Sequence, residues 1–384
     1  MAGKLRPVGS RVPRLTSQPV VLPWEGVYTA EYCGSGTDAL ALAVGLAMLD
    51  RPDVTRPEVI IPAYGCPDLV TAILCQGARP VLVDLKPDTP FMDLHCLVSA
   101  ITEQTVAVVG VGLLGIPERL ESLAGICRKR NLRLIEDSAQ CFPPRSVEQV
   151  LADFVVLSFG RGKPINLMGG GALLCREPLT SRQRRFLDQV PDRAIHTGFA
   201  WQVKRLVFNL LMTRPAYALL EKLPFLGLGK TRFHPHDHAT RLTFPLALLH
   251  GGLREFDERP LIHSEYEQAL SSLEKRGWVL LSTERFSAIG VQPDRPRLRF
   301  GVLAPDAGRR KEALKALNDA GIGANGLYEV TLPEIKGMSV LGRSGEYSVA
   351  ADFASRLVTL PSHEDVTSVD VQRIASILVL FGPR

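Results

Sequence analysis

Five short runs dominated by Val, Ile and Leu recur along the first half of the chain: Val59–Ile61, Pro80–Val83, Val106–Val109, Leu132–Ile135 and Phe154–Leu157. Each is apolar at successive positions, so both of its faces must be covered if it forms a strand. Amphipathic stretches separate the runs. One of them, Pro117–Arg130, opens on proline and ends in basic residues, as a helix does. Buried strands that alternate with helices indicate a mostly parallel sheet flanked by helices, an α/β fold. The rhythm breaks from about 178 to 240. A long helical pattern then runs near 244–275. Alternation resumes with a strand at Leu298–Leu303, a helix at about 308–320, a strand near 357–360 and a last helix at about 367–380. At 384 residues the chain is long enough for two units. Residues 1–240 are expected to form an N-terminal segment and a large domain carrying an insert at about 178–240, and residues 241–384 a smaller C-terminal α/β domain.

Composition excludes several classes. Hydrophobic residues at 46% and charged residues at 22% describe an ordinary globular chain. A formal net charge of +5, spread along the sequence, gives no electrostatic footprint for nucleic acid, and none is expected as a partner. The seven cysteines are odd in number, contain no CxxC pair and lie partly inside apolar runs. They read as free thiols of a reducing cytoplasm rather than a disulfide framework. The early basic residues Lys4, Arg6, Arg11 and Arg14 are followed by no apolar segment of a secretory signal, and no apolar run reaches bilayer length. The expected location is the cytoplasm.

Three features could carry chemistry. Ser35-Gly36-Thr37 precede the helical run Asp38–Leu49, and free N–H groups at a helix start can hold a phosphate; a ligand-free N-cap is the alternative. Glu136-Asp137 end the Leu132–Ile135 run, where ligands of open parallel sheets bind, and a carboxylate there can face a protonated ring nitrogen; a helix cap is the alternative. Ser158 ends the last run, and a glycine-punctuated turn then presents Lys163 beside Gly169-Gly170-Gly171. A lysine kept from bulk water near other cations can act as a Schiff-base nucleophile, the alternative being a solvated loop lysine. Together, and in this order, a phosphate cradle, an acid at a strand end and a later lysine are what pyridoxal 5'-phosphate (PLP) requires.

The stretches Gly34–Leu49, IPAYGCPDLVTAILCQGARPVLVDL, LRLIEDSAQ, LSFGRGKPINLMGGGALL, LNDAGIGANGLYEV and ASRLVTLPSHEDVT carry a resemblance to the DegT/DnrJ/StrS aminotransferases, a branch of the fold-type-I PLP enzymes. The likeness covers most of the chain and is weakest from about 178 to 300. It implies a homodimer that moves an amino group from an amino acid, L-glutamate being the expected donor, to a nucleotide-linked keto-sugar in polysaccharide or glycoconjugate biosynthesis. It further implies that Lys163 carries the cofactor and that Asp137 pairs with its pyridine nitrogen. Gln140 would face the ring near its phenolic oxygen, and Ser35, Gly36, Thr37 and Ser158 would hold the phosphate. Where such enzymes carry a ring-stacking aromatic this chain has Cys66, and Tyr64 two residues earlier is expected either to stack in its place or to pack in the core. A histidine and tyrosine common before a glycine are replaced in Val111–Gly115, and an asparagine lent to the neighbouring subunit is not evident around Arg241–Phe244. These departures fall around the substrate pocket. Rival readings are a dehydratase or lyase of the same fold and a non-catalytic regulator. Related dehydratases put histidine in place of the lysine, and a binding-only protein needs neither Lys163 nor Asp137.

Four further features stand outside this set. His234–His238 is too compressed for a metal site and reads as a polar loop; no metal is expected. The Trp201–Leu220 stretch, apolar with Lys204, Arg205 and Arg214, can lie on a membrane surface, though packing on the sheet or a dimer mate is its expected use. Arg161 could bind a phosphate or carboxylate or sit at the surface. Tyr328 matches a position near the active site of the family, and could equally be core.

Overall fold

The structure is a computed structural model describing residues 5–6, 8–213, 215–216, 233–289, 295–338, 341 and 346–382. Arg214 and residues 217–220 of the Trp201–Leu220 stretch lie outside these residues.

All five apolar runs form strands: β2 (Glu58–Pro62), β3 (Arg79–Val83), β4 (Thr105–Val111), β5 (Arg133–Asp137) and β6 (Phe154–Ser158). They pair in parallel in the order β3-β2-β4-β5-β6. The sheet continues through β7 (Gly171–Cys175) and β1 (Thr29–Cys33), both antiparallel to their neighbours, and ends in the short β9 (Arg241–Thr243) and β8 (Asp192–Ala194). Successive residues of β2 serve opposite faces. Val59 and Ile61 pack with α1 (Gly36–Leu49) and α2 (Asp68–Cys75), whereas Ile60 packs with the helix Leu120–Arg130 on the other side. Helix α1 is apolar all round and buried from Asp38 to Ala47, as a helix enclosed by sheet and neighbouring helices must be. Arg241–Thr243 and the helix Leu246–Asp257, which follow residue 240, pack on this same sheet.

The helical pattern near 244–275 is broken in the fold. It divides into Leu246–Asp257 and His263–Leu270, and a 3₁₀ turn covers Ser271–Arg276. Pro260 accounts for the division, since it lacks the N–H a continuing helix would need. The later elements follow their sequence signals. Strands β10 (Val279–Leu280), β11 (Arg299–Leu303) and β12 (Leu357–Pro361) form a separate antiparallel sheet, covered by the helices Ala307–Asp319 and Ser368–Leu378.

His263 is buried in this smaller core, its Nε2 3.4 Å from the Arg299 carbonyl and its ring 5.7 Å from that of Phe300. Burial, helped by the charge of Arg297, lowers its pKa to about 3. The unfolded chain binds a proton at this residue near the ordinary value of about 6.5, whereas the folded chain resists it. Stability is therefore fully present above that value and falls as pH drops toward the folded pKa, by about 1.4 kcal/mol per pH unit. Thermal denaturation between pH 7 and pH 5 should show this loss in the wild type and a flatter profile in His263→Gln.

Candidate active site

The carboxyl edge of the parallel strands gathers the predicted residues. Ser35 caps α1, its Oγ accepting from the Asp38 N–H at 3.0 Å. That leaves the N–H groups of Gly36 and Thr37, which have no acceptor within the helix, without a partner among the described residues. Ser158 stands directly against this turn. A Cβ on Gly36 would lie 2.6 Å from the Ser158 Cβ and 2.8 Å from its Oγ, so only glycine allows the helix start and the β6 end to meet. Gly171 serves the same approach from below, since a side chain there would strike the Ser35 carbonyl at 2.6 Å. The cap reading and the anion reading of Ser35–Thr37 are thus compatible: Ser35 is the cap, and the next two N–H groups remain available. The Thr37 hydroxyl donates to exposed Asp68 at 3.2 Å.

The Glu136-Asp137 pair separates into two roles. Glu136 is buried and structural, accepting from Arg145 N at 2.7 Å, Ser146 N at 2.9 Å and Ser138 Oγ at 2.7 Å. Asp137 accepts only from the Ala139 N–H, at 2.9 Å through Oδ1, and its second oxygen takes no partner among the described residues. Burial raises the Asp137 pKa, while that N–H and the charge of Lys163 oppose the rise and Asp68 adds to it. Lys163 is therefore close enough to Asp137 to act on it electrostatically.

Gln140 bridges the site. Its Oε1 accepts from Leu114 N at 3.2 Å and its Nε2 donates to the Tyr328 hydroxyl at 3.3 Å. Tyr328, buried, is also in contact with the Cys66 thiol. Burial pushes that thiol up to about 11, with Asp68 raising it and Lys163 lowering it, so at neutral pH Cys66 is a protonated neighbour of the lysine rather than a nucleophile. Tyr64 is not brought to this group. Its hydroxyl reaches the carbonyls of Gly326 (3.2 Å) and Tyr328 (3.1 Å), and its ring packs edge-on against Tyr328 and Phe353. Of its two sequence-level alternatives, core packing is the one observed, because Tyr64 fastens the β2 edge to the segment around Tyr328.

The turn that carries Lys163 is fixed from an unexpected direction. The buried Ser10 hydroxyl lies 2.9 Å from the Lys163 carbonyl and 2.7 Å from that of Pro164, and Asn166 Nδ2 donates to the Ser10 carbonyl at 2.8 Å. The backbone of the turn is thus pinned, while Lys163 Nζ makes no ion pair or hydrogen bond among the described residues. Arg161 is exposed, with its guanidinium 5.5 Å from the centre of the Phe208 ring. In the histidine loop, His236 pairs with Asp38 at 2.5 Å and the His234 carbonyl accepts from Thr71. Among the described residues no group of three or more His, Cys, Asp or Glu is placed to hold a metal.

Residues 24–223 match the DegT/DnrJ/EryC1/StrS aminotransferase family. The chain belongs to this family. It is 32% identical over 152 residues to a UDP-N-acetyl-3-dehydro-alpha-D-glucosamine 3-aminotransferase of Acidithiobacillus ferrooxidans, covering 39% of this chain and 40% of that protein. It is 31% identical over 210 residues to a dTDP-4-dehydro-2,3,6-trideoxy-D-glucose 4-aminotransferase of Saccharopolyspora spinosa, covering 50% and 53%. The matched region thus spans about half or less of the length of these curated relatives. The fold is similar to that of NtdA from Bacillus subtilis, solved with bound cofactor PMP, with a TM-score of 0.67 at 18% identity over 92% of this chain and 73% of that one. The architecture is therefore that of the fold-type-I aminotransferases.

Proposed function

We propose that the protein is a PLP-dependent aminotransferase that moves an amino group from an amino acid, with L-glutamate as donor, to a nucleotide-linked keto-sugar. The observation that carries this reading is the convergence on one strand edge of Lys163, an Asp137 oxygen and the Gly36 and Thr37 N–H groups, none of these atoms partnered among the described residues. The donor set fits the cofactor: a cradle closed by Ser158 that no side chain at Gly36 could share and, among the described residues, an unshared carboxylate oxygen and an uncommitted amine. The nucleotide-sugar substrates of the curated relatives support the acceptor class. The reading includes a homodimer, and a place in the supply of amino sugars for polysaccharide or glycoconjugate assembly. Seven free cysteines support a reducing, cytoplasmic setting.

Bound PLP supplies an electron sink that stabilises negative charge at the substrate carbon bearing nitrogen. The chain's residues would do the rest. Gly36 and Thr37 N–H and Ser158 Oγ would bind the phosphate, and the α1 start favours that charge. Asp137 would hold a proton on the ring nitrogen, and Gln140, oriented by Leu114 N and Tyr328, would face the ring near its phenolic oxygen. Lys163 Nζ would carry the proton away from and back to the substrate, on a backbone held still by Ser10.

Purified protein should be yellow, and L-glutamate alone should bleach it while releasing 2-oxoglutarate. Colour that persists with every amino donor tried would assign the site to another reaction of this fold. A colourless protein that cannot be reconstituted with PLP would refute the enzyme reading.

A further inference from the structure

Helix α7 (Phe199–Leu211) buries none of its residues, yet most of them are apolar. At one residue per 100°, Phe199, Val203, Leu206, Val207, Leu210 and Leu211 fall on a single stripe about 140° wide. They face solvent: Phe199 is 86% exposed, Leu210 63% and Leu206 58%. The helix cannot simply roll over to hide them, because its other face is already engaged. Trp201 packs against the core of the large sheet, Asn209 holds the N–H and carbonyl of Val12 at 2.8 and 2.9 Å, and Phe208 receives Arg161.

Lys204 borders one margin of the stripe and a charge-mixed, arginine-rich cavity the other. Lys204 is exposed on one side. On the Leu206 side lies a cavity of about 530 Å³ lined by Arg11, Arg14, Arg205 and Arg259 together with three glutamates. The sequence from 199 to 232 holds six basic residues against the single acid Glu221, so it carries a net +5, equal to that of the whole chain. Basic residues thus predominate in the sequence that contains and follows the apolar helix.

We infer that α7 docks on an anionic phospholipid surface, its apolar stripe entering the headgroup–acyl boundary and its basic margins meeting lipid phosphates. This goes beyond the aminotransferase reading and does not depend on it. Charge selects this occupant over a second copy of the chain: α7 carries Lys204 and Arg205 and no acid, so a two-fold contact that set it against itself would bring like charges together. As described, α7 is too short to span. The 13 residues of α7 rise about 20 Å, short of a hydrocarbon core of about 30 Å, and no helix among the described residues is long and apolar enough to cross a membrane.

The test is co-sedimentation of the full-length holoprotein with vesicles of phosphatidylcholine alone and of phosphatidylcholine and phosphatidylglycerol in equal parts. The wild type should pellet with the anionic vesicles at low salt, and much less at high salt or without phosphatidylglycerol. Lys204→Gln should weaken partitioning about fivefold, the share of one cation near such a surface. The combined variant Phe199→Ser, Leu206→Ser, Leu210→Ser should remain in the supernatant, with wild-type circular dichroism, colour and mass in light scattering. Wild-type protein that ignores anionic vesicles overturns the inference, as does a triple variant that binds like the wild type. A triple variant of lower oligomeric mass would assign the stripe to a second copy instead.

Discussion

Lys163→Ala is expected to lower turnover by at least about 10³-fold, the scale on which a lost proton-transfer group counts, while leaving the fold intact. The structure explains why the two effects should separate. At residues 163 and 164 the turn is held through backbone atoms: their carbonyls meet the Ser10 hydroxyl, and the Lys163 N–H donates to the Gly160 carbonyl at 3.3 Å. Truncating the side chain removes none of these. The amine itself makes no ion pair among the described residues, so its loss strands no buried partner. The neighbouring carboxyl should register the change. Lys163 is one of two groups that hold the Asp137 pKa down against burial, and without it that pKa should rise further. The measurement is single-turnover amino transfer from L-glutamate, with borohydride reduction and peptide mapping of the wild type. A label on another lysine, or a variant that keeps turnover, would remove Lys163 from its proposed role. Added methylamine should restore part of the lost rate if the missing function is the amine, and none if the defect is structural.

The large sheet was legible because its parallel strands are buried on both faces, and continuous runs such as Val106–Val109 signal that condition directly. The antiparallel members were less so. Strand β1 shows mixed burial, and β7 is disguised by the glycines at its start, whose absent side chains allow it to pass beneath Ser35. The helix near 244–275 misled because apolar periodicity runs on through Pro260 while the backbone cannot. At the site, residues whose placement depends on strand ends were readable: Asp137 and Ser158 close their strands, and Lys163 follows the second. Tyr64 was not, because whether an aromatic stacks on a ligand or on Tyr328 and Phe353 depends on segments more than 260 residues away. Ser10 gave no local signal at all. It lies in an irregular N-terminal stretch, and only its 153-residue separation from Lys163, closed in space, reveals it as an anchor of the turn. The exposure of α7 was equally hidden, since a helix apolar on both sides does not announce which side the fold will cover.

Asp137→Asn should be nearly as damaging to catalysis and should cost no stability. The amide is isosteric, and its oxygen can still accept from the Ala139 N–H, so the turn after β5 is preserved. What disappears is a negative charge that burial already disfavours, as the raised pKa of this carboxyl shows. Removing a buried charge that lacks a full set of partners is neutral or stabilising, so the cofactor-free variant should melt at or above the wild-type temperature. Catalysis depends on that charge for a different reason. A carboxylate facing the ring nitrogen keeps it protonated, and a protonated ring is the stronger sink for the charge that develops in the transition state. An amide cannot hold that proton, and the fall in turnover is expected at about 10²- to 10⁴-fold. Two readouts distinguish this from damage to binding. The phosphate contacts proposed for Gly36, Thr37 and Ser158 would be untouched, so cofactor retention through dialysis should survive. The solvent deuterium and substrate α-deuterium isotope effects should grow, because the proton step proposed for Lys163 becomes limiting. A variant with near-wild-type turnover would show that Asp137 does not face the ring nitrogen, and a variant that loses cofactor and melts early would show that it acts on the architecture of the site instead.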